Sequence, residues 1–205
     1  MKGLIPHETG AESLPQERFS GHSRTMRASS RGIFLAGCLF LVLHWASLGG
    51  YRAEETFTVL HYGRNLAEGA GLVFGNGERA DAFVNLGWVI LLALPIRFGV
   101  DPLLAAKALG LLCSLGTYSI LNDLLRRLQP SGRHWVPSLA LAVGMAGSRL
   151  FGAAAASGLG TPLEAFMLAG LARTLAIEWE HRNFIGSAGW LALLTLTRPE
   201  AGALA

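Results

Sequence analysis

Charge is what this chain has least of. Asp, Glu, Lys and Arg make up only 15% of its 205 residues, against about 25% in an ordinary soluble domain. A nucleic-acid surface needs Lys and Arg clustered on one face; the formal charge here is only +3 and no continuous basic face is visible. Cysteine is nearly missing as well. Cys38 and Cys113 are the only two, both within apolar runs and neither in a metal-ligand spacing, so they read as buried free thiols. The glycines form no phosphate loop. A P-loop needs a Lys-Ser/Thr tail and a dinucleotide fingerprint needs βαβ context, and the Gly-rich stretch around Gly75-Asn76-Gly77 has neither. Turn chemistry is its better reading.

Apolar side chains take the place of charge. They account for 51% of the sequence, and mean hydropathy is +0.40. They are gathered into runs at 32–50, 83–100, 103–125, 135–156, 163–179 and 186–205. Several approach the roughly 20 residues a helix needs to cross about 30 Å of hydrocarbon. The expected fold is all-α, a polytopic transmembrane helical bundle.

The sparse cations give it an orientation. Lys2, Arg18, Arg24, Arg27 and Arg31 precede the first run, and Arg126, Arg127 and Arg133 follow the third. Positive charge favours the cytoplasmic side, which places both groups there. Residues 1–31 are polar and aperiodic and read as a disordered cytoplasmic tail. A signal peptide is the rival reading of residues 1–50; the long polar lead-in and the spanning-length run favour an anchor. Either way residue 51 emerges outside.

Residues 51–82 are the one extended polar stretch between apolar runs. A helix is expected from Glu54 to Glu68, stopped by Gly69, with 71–74 extended. The run 83–100 carries Pro95 and Arg97 and falls short of a span. If it crossed, Arg126, Arg127 and Arg133 would lie outside, against the charge rule. The preferred topology therefore makes 51–102 one external segment with juxtamembrane helices, and Trp88 suits the interface. The spans then alternate: 103–125 inward, 135–151 outward, a short external turn at 157–162, 163–179 inward, and 186–197 outward. Gly144, Ser148, Gly152, Gly186 and Gly189 provide small-residue contacts for close helix packing. The chain stops in an apolar stretch, as a C-terminally truncated piece of a longer protein would.

Two adjacent acids, Glu54 and Glu55, follow the first run directly. On a helix, Glu54, Thr58, His61 and Asn65 share one face, Glu55 and Tyr62 lie on the adjacent strip, and Phe57, Leu60 and Leu66 face the membrane. A carboxylate held at an interface can serve as a general base. The plainer reading is a pair of acids at a helix N-terminus, favoured by the helix dipole.

The stretch from Glu54-Glu55 through His61-Tyr62-Gly63-Arg64-Asn65-Leu66 to Gly69-Ala-Gly71-Leu72-Val73-Phe74 resembles the first external loop of GT-C-type membrane glycosyltransferases, and within them the bacterial, mycobacterial arabinofuranosyltransferase-like family. Asn76-Gly77-Glu78-Arg79, Asn85-Leu-Gly-Trp88, Gly158-Leu-Gly-Thr161-Pro162-Leu163 and Leu196-Thr-Arg198-Pro199-Glu200 are similar to its later motifs, so the resemblance covers about residues 32–204. It departs in four ways: the family's acid pair is usually aspartate, Gly160 stands where many relatives carry an acid (with Glu164 one turn later), His61 often aligns with Arg, and the later spans and external C-terminal domain usual in such enzymes are not in this sequence.

The resemblance implies an integral membrane glycosyltransferase of the bacterial inner membrane, N-terminus cytoplasmic. It would transfer a sugar from a polyprenyl-phosphate donor to an envelope glycan or glycolipid. Glu54 and Glu55 are then the catalytic pair, one as base and the other orienting the acceptor or binding a divalent cation, which nothing in the sequence requires. Tyr62, Arg64, Asn65, Arg198 and Glu200 are the implied substrate-binding residues. Arg64 and Arg198 suit the lipid phosphate; their plainer roles are an ion pair with Glu68 and an interfacial anchor. The alternative function is a non-catalytic polytopic protein, a transporter subunit or assembly factor. Mid-span ionisable residues would favour that, and Lys107 is the clearest candidate.

Overall fold

The computed structural model describes residues 17–73, 85–129 and 135–197, with side chains from residue 31 onward except at 146. Every regular element among them is an α-helix: α1 Glu17–Ser47, α2 Glu54–Ala67, α3 Leu86–Arg97, α4 Pro102–Leu128, α5 Trp135–Gly147, α6 Arg149–Ser157, α7 Thr161–His181 and α8 Ile185–Thr197. The all-α expectation holds.

Local sequence sets most of the boundaries. The Glu54–Ala67 helix closes as expected: Gly69 takes φ +83°, and the amides of Gly69 and Ala70 return to the carbonyls of Leu66 and Asn65 at 3.2 and 2.9 Å. That is a Schellman closure, which a left-handed glycine makes cheap. Asp101 caps α4 by accepting from Leu104 N at 2.9 Å, with Pro102 at the first helical position. Two boundaries differ from expectation. Helix α1 begins at Glu17, inside the segment 1–31 expected to lack regular structure. Once the apolar part of α1 is helical, adding Arg, Ala and Met residues N-terminal to it needs no new nucleus. The stretch 135–151, expected to be one span, is two helices bent by 61°. Ser148 makes the break by capping α6, its Oγ accepting from Phe151 N at 3.2 Å.

Side-chain contacts fix the helix directions. Phe34 stacks on Tyr118 at 5.3 Å between centroids, while just past the end of α1 the Gly49 carbonyl accepts from Lys107 Nζ, so α1 and α4 are antiparallel. Ser138 donates to Asn122 at 2.8 Å and Gly110 abuts Ala155, so α5–α6 also opposes α4. Helix α7 runs with α4, Gly116 facing Phe166 and Arg173 donating to Asp123 at 2.8 Å. Helix α8 reverses again: Glu178 accepts from the amides of Gly186 and Ser187 at 2.6 and 2.9 Å, and Thr197 Oγ1 reaches Met167 Sδ at 3.8 Å. Thus α1, α5–α6 and α8 point one way and α4 and α7 the other.

Helices α2 and α3 do not join this alternation. At 12 residues, α3 is only about 18 Å long. It packs along α2, where Gly63 lies against Leu92 and Ile96. Together they cap the end of the bundle where α4 and α7 begin, around a core of Leu60, Trp88, Leu92, Ala105, Ala106, Leu163, Met167 and Leu194. Cys38 and Cys113 are free and half-buried rather than fully buried.

By length and hydropathy, α4 is the one helix among the described residues able to cross a membrane unaided, with the bent α5–α6 pair a second if it counts as one broken span. The apolar parts of α1, α3 and α8 are shorter.

Candidate functional site

The turn between α6 and α7 is where separated stretches of sequence meet. Ser157 ends α6, Gly158 takes φ +87°, and α7 starts at Thr161. From α2, the buried Thr56 Oγ1 donates to Ser157 O at 2.7 Å. From α3, the buried Trp88 Nε1 donates to Gly158 O at 3.0 Å. Asn85, the cap of α3, donates through Nδ2 to Glu164 Oε1 at 2.6 Å. Thr197, the last residue of α8, packs on Gly87. The glycines are required here: a methyl on Gly158 would lie 2.8 Å from Thr56 Cγ2, and one on Gly160 would strike the Asn85 amide. An acid at position 160 has no room beside Asn85, and Glu164 holds that amide from one turn further on.

Glu54 and Glu55 form the first turn of α2, directly before Thr56, and both are exposed. The dyad therefore stands on the rim of this junction, open to its surroundings. The α2 faces match expectation only in part: Glu54 and His61 are exposed and Phe57 faces outward, but Leu60 and Tyr62 do not. Thr56, Leu60, Tyr62 and Gly63 point inward, while Phe57 is turned outward. Thr56 carries no signal of its inward position in α2 alone, because its partner, the Ser157 carbonyl, lies 101 residues away.

The implied binding residues are dispersed. Tyr62 is in the core at 5% exposure, away from solvent. Arg64 is exposed and pairs with Glu68, Nε to Oε1 at 2.8 Å; the hydrogen bond and charge of Glu68 raise its pKa further above the ordinary arginine value. Asn65 is half-buried and donates to Val73 O at 2.7 Å, folding residues 70–73 back onto α2 in place of an extended segment. Arg198 and Glu200 lie outside the described residues, as do Phe74, the 75–79 turn and Arg133. Trp88 is fully buried at 0%, so it is a core residue and not an interfacial anchor. Its indole N–H has a carbonyl partner, which is what lets a tryptophan be buried.

Lys107 gained little weight from the sequence, yet it is buried, and its ammonium ties α4 to the end of α1 at Gly49. A lone lysine in an apolar run was the available signal. Among the described residues, no three His, Cys, Asp or Glu side chains gather into a metal-binding group. Comparison of the chain with protein-family models, with curated proteins and with solved structures finds no match in any of the three.

Proposed function

We propose that this protein is an integral membrane glycosyltransferase of the GT-C kind, a polytopic helical bundle that uses a polyprenyl-phosphate sugar donor. The observation that carries the reading is the convergence at the α6–α7 turn. The stretches after Glu54-Glu55, at Asn85–Trp88, at Gly158–Leu163 (with Glu164 directly after it) and at Thr197 are those that resemble the family's motifs. They are far apart in sequence, and direct contacts join them at one end of the bundle. Two further features favour a membrane setting. The crossing helices alternate in direction while α2 and α3 stay at one end, as the external-loop topology requires. Leu35, Leu39 and Leu43 of α1, four residues apart, point outward at 58–64% exposure. Such a stripe is a liability in water and normal against lipid.

In this reading the donor's prenyl tail lies in the outer leaflet, with its phosphate and sugar at the interface beside α2. Glu54 takes the proton of the acceptor hydroxyl, and the acceptor oxygen attacks the anomeric carbon. The bond from that carbon to the phosphate oxygen breaks, and polyprenyl phosphate leaves with the electron pair. Glu55 orients the acceptor. A cation near the leaving phosphate stabilises its charge, and Arg198, immediately after the buried Thr197, is the residue proposed for it.

One observation favours the second reading, a non-catalytic polytopic protein: both glutamates are open rather than enclosed, and Arg64 is already paired. Transfer of a labelled sugar from a polyprenyl-phosphate donor, measured in membranes containing the protein and in matched membranes without it, decides between the two. Equal transfer in both sinks the enzyme.

A further inference from the structure

A groove of about 290 Å³ runs along the outside of the bundle between α1 and α5. Ile33, Ala36 and Phe40 form one wall, and Leu139, Val143 and Gly147 form the other. Every side chain in it is apolar. Each wall repeats every three or four residues, so each helix presents one straight face. A third helix fits such a trough, its side chains entering between theirs. The groove stays open at Gly147, where an added methyl would meet nothing within 4 Å. Just beyond, the chain bends and Arg149 begins α6, exposed. Its level follows from two contacts with α4. Ser138 bonds Asn122 at 2.8 Å, and Ala155 abuts Gly110; the two bracket the midpoint of Pro102–Leu128. Arg149 lies between them, so it stands about halfway along the crossing helix, roughly 20 Å from either end. No carboxylate pairs with it among the described residues. An exposed guanidinium in mid-hydrocarbon is costly, and that distance is too long for it to snorkel to water.

We propose that the α1–α5 groove seats a transmembrane helix of a partner membrane protein, one that carries an Asp or Glu at mid-bilayer to pair with Arg149. Charge complementarity selects this occupant. A lipid tail fills the groove but leaves the guanidinium unpaired, and a lipid headgroup stays at the surface. A second copy of this chain brings no described acid to that level. Glu164 opens α7, Glu178 and Glu180 close it, and Asp123 is held by Arg127 and Arg173. A carboxylate on a different helix accepts two parallel N–H groups from the guanidinium. Polar pairs of this kind join helices in lipid, where burying apolar surface gives little drive. Because α6 runs straight into the α6–α7 turn, the partner steadies the helix beneath the acid pair. The proposal rests on the membrane reading above and not on sugar transfer.

The test uses the full chain, donor-labelled, in phosphatidylcholine vesicles. The probes are acceptor-labelled synthetic helices of about 20 Leu and Ala residues, with Glu or Leu at the central position. Energy transfer to the Glu helix should saturate, and the Leu helix should bind about tenfold more weakly or worse. Arg149→Gln should erase that preference. Ala36→Trp fills the groove and should weaken both helices, whereas Arg182→Gln, at the α7–α8 turn, should behave like wild type. All three positions are exposed, so folding is preserved. Equal binding of the two helices overturns the proposal, as does a preference that survives Arg149→Gln. Unchanged binding in Ala36→Trp overturns the groove as the seat. Self-association of the chain as strong as its binding to the Glu helix makes the occupant a second copy and overturns the partner. Transfer to neither helix leaves the groove to lipid and overturns it too. Release of the chain from native membranes by alkaline carbonate removes the membrane reading and this site together. A chain that stays in the membrane and prefers the Glu helix, but transfers no sugar, keeps the partner site and loses the glycosyltransferase.

Discussion

Thr56 and Ser157 are 101 residues apart and joined by a 2.7 Å hydrogen bond from a buried hydroxyl to a backbone carbonyl. The bond fixes the start of α2, and therefore the acid pair beside it, on the turn that opens α7. Thr56→Val keeps the shape and removes the donor, leaving the Ser157 carbonyl unsatisfied. The expected cost is about 1–3 kcal/mol, read as a lower unfolding temperature in detergent. Thr56→Ser should recover most of it.

Close approach of α4 and α6 depends on Gly110. A methyl there would sit 2.6 Å from the Ala155 carbonyl oxygen, and backbone cannot rotate away as a side chain can. Gly110→Ala should therefore destabilise by about 1–3 kcal/mol. Gly189 has nothing within 4 Å of the same position. Gly189→Ala should be neutral or stabilise by up to about 1 kcal/mol through helix propensity. Equal effects in the two variants would contradict the packing described.

The carboxylate of Glu178 takes the first amides of α8, from Gly186 and Ser187, together with the Ser187 hydroxyl. It is a cap supplied by the neighbouring helix. Glu178→Ala should loosen the α7–α8 hairpin, costing about 1–2 kcal/mol, and Glu178→Gln should cost less because it still accepts. Limited proteolysis between His181 and Ile185 should speed up in the alanine variant first.

Topology is testable by single cysteines, with Cys38 and Cys113 replaced by alanine. Tyr51→Cys should react with a membrane-impermeant thiol reagent added from outside, and Ser131→Cys only after the membrane is opened. External labelling at position 131 would reverse the proposed orientation.

The helices were largely legible in the sequence because their signals are local. Gly69 closes α2, Asp101-Pro102 opens α4, and the apolar runs mark α4, α7 and α8 to within a few residues. Contacts between distant segments carry no local signal. Trp88 looked interfacial because nothing near it predicts the Gly158 carbonyl that satisfies its indole. Tyr62 looked available because the face of α2 that turns inward is decided by α3 and α4. Ser148 read as a small packing residue, and only the structure reveals that it caps α6 and breaks the span. The pairing of Arg64 with Glu68 was the exception, since a spacing of four residues is enough to foresee it.

The most direct test of the central claim is transfer from a polyprenyl-phosphate sugar by membranes carrying wild type, Glu54→Gln or Glu55→Gln. Both residues are exposed, so both variants should reach the membrane at wild-type levels. The account predicts that at least one loses transfer by about 100-fold or more, as expected for removal of a general base. Full transfer by both variants would contradict it.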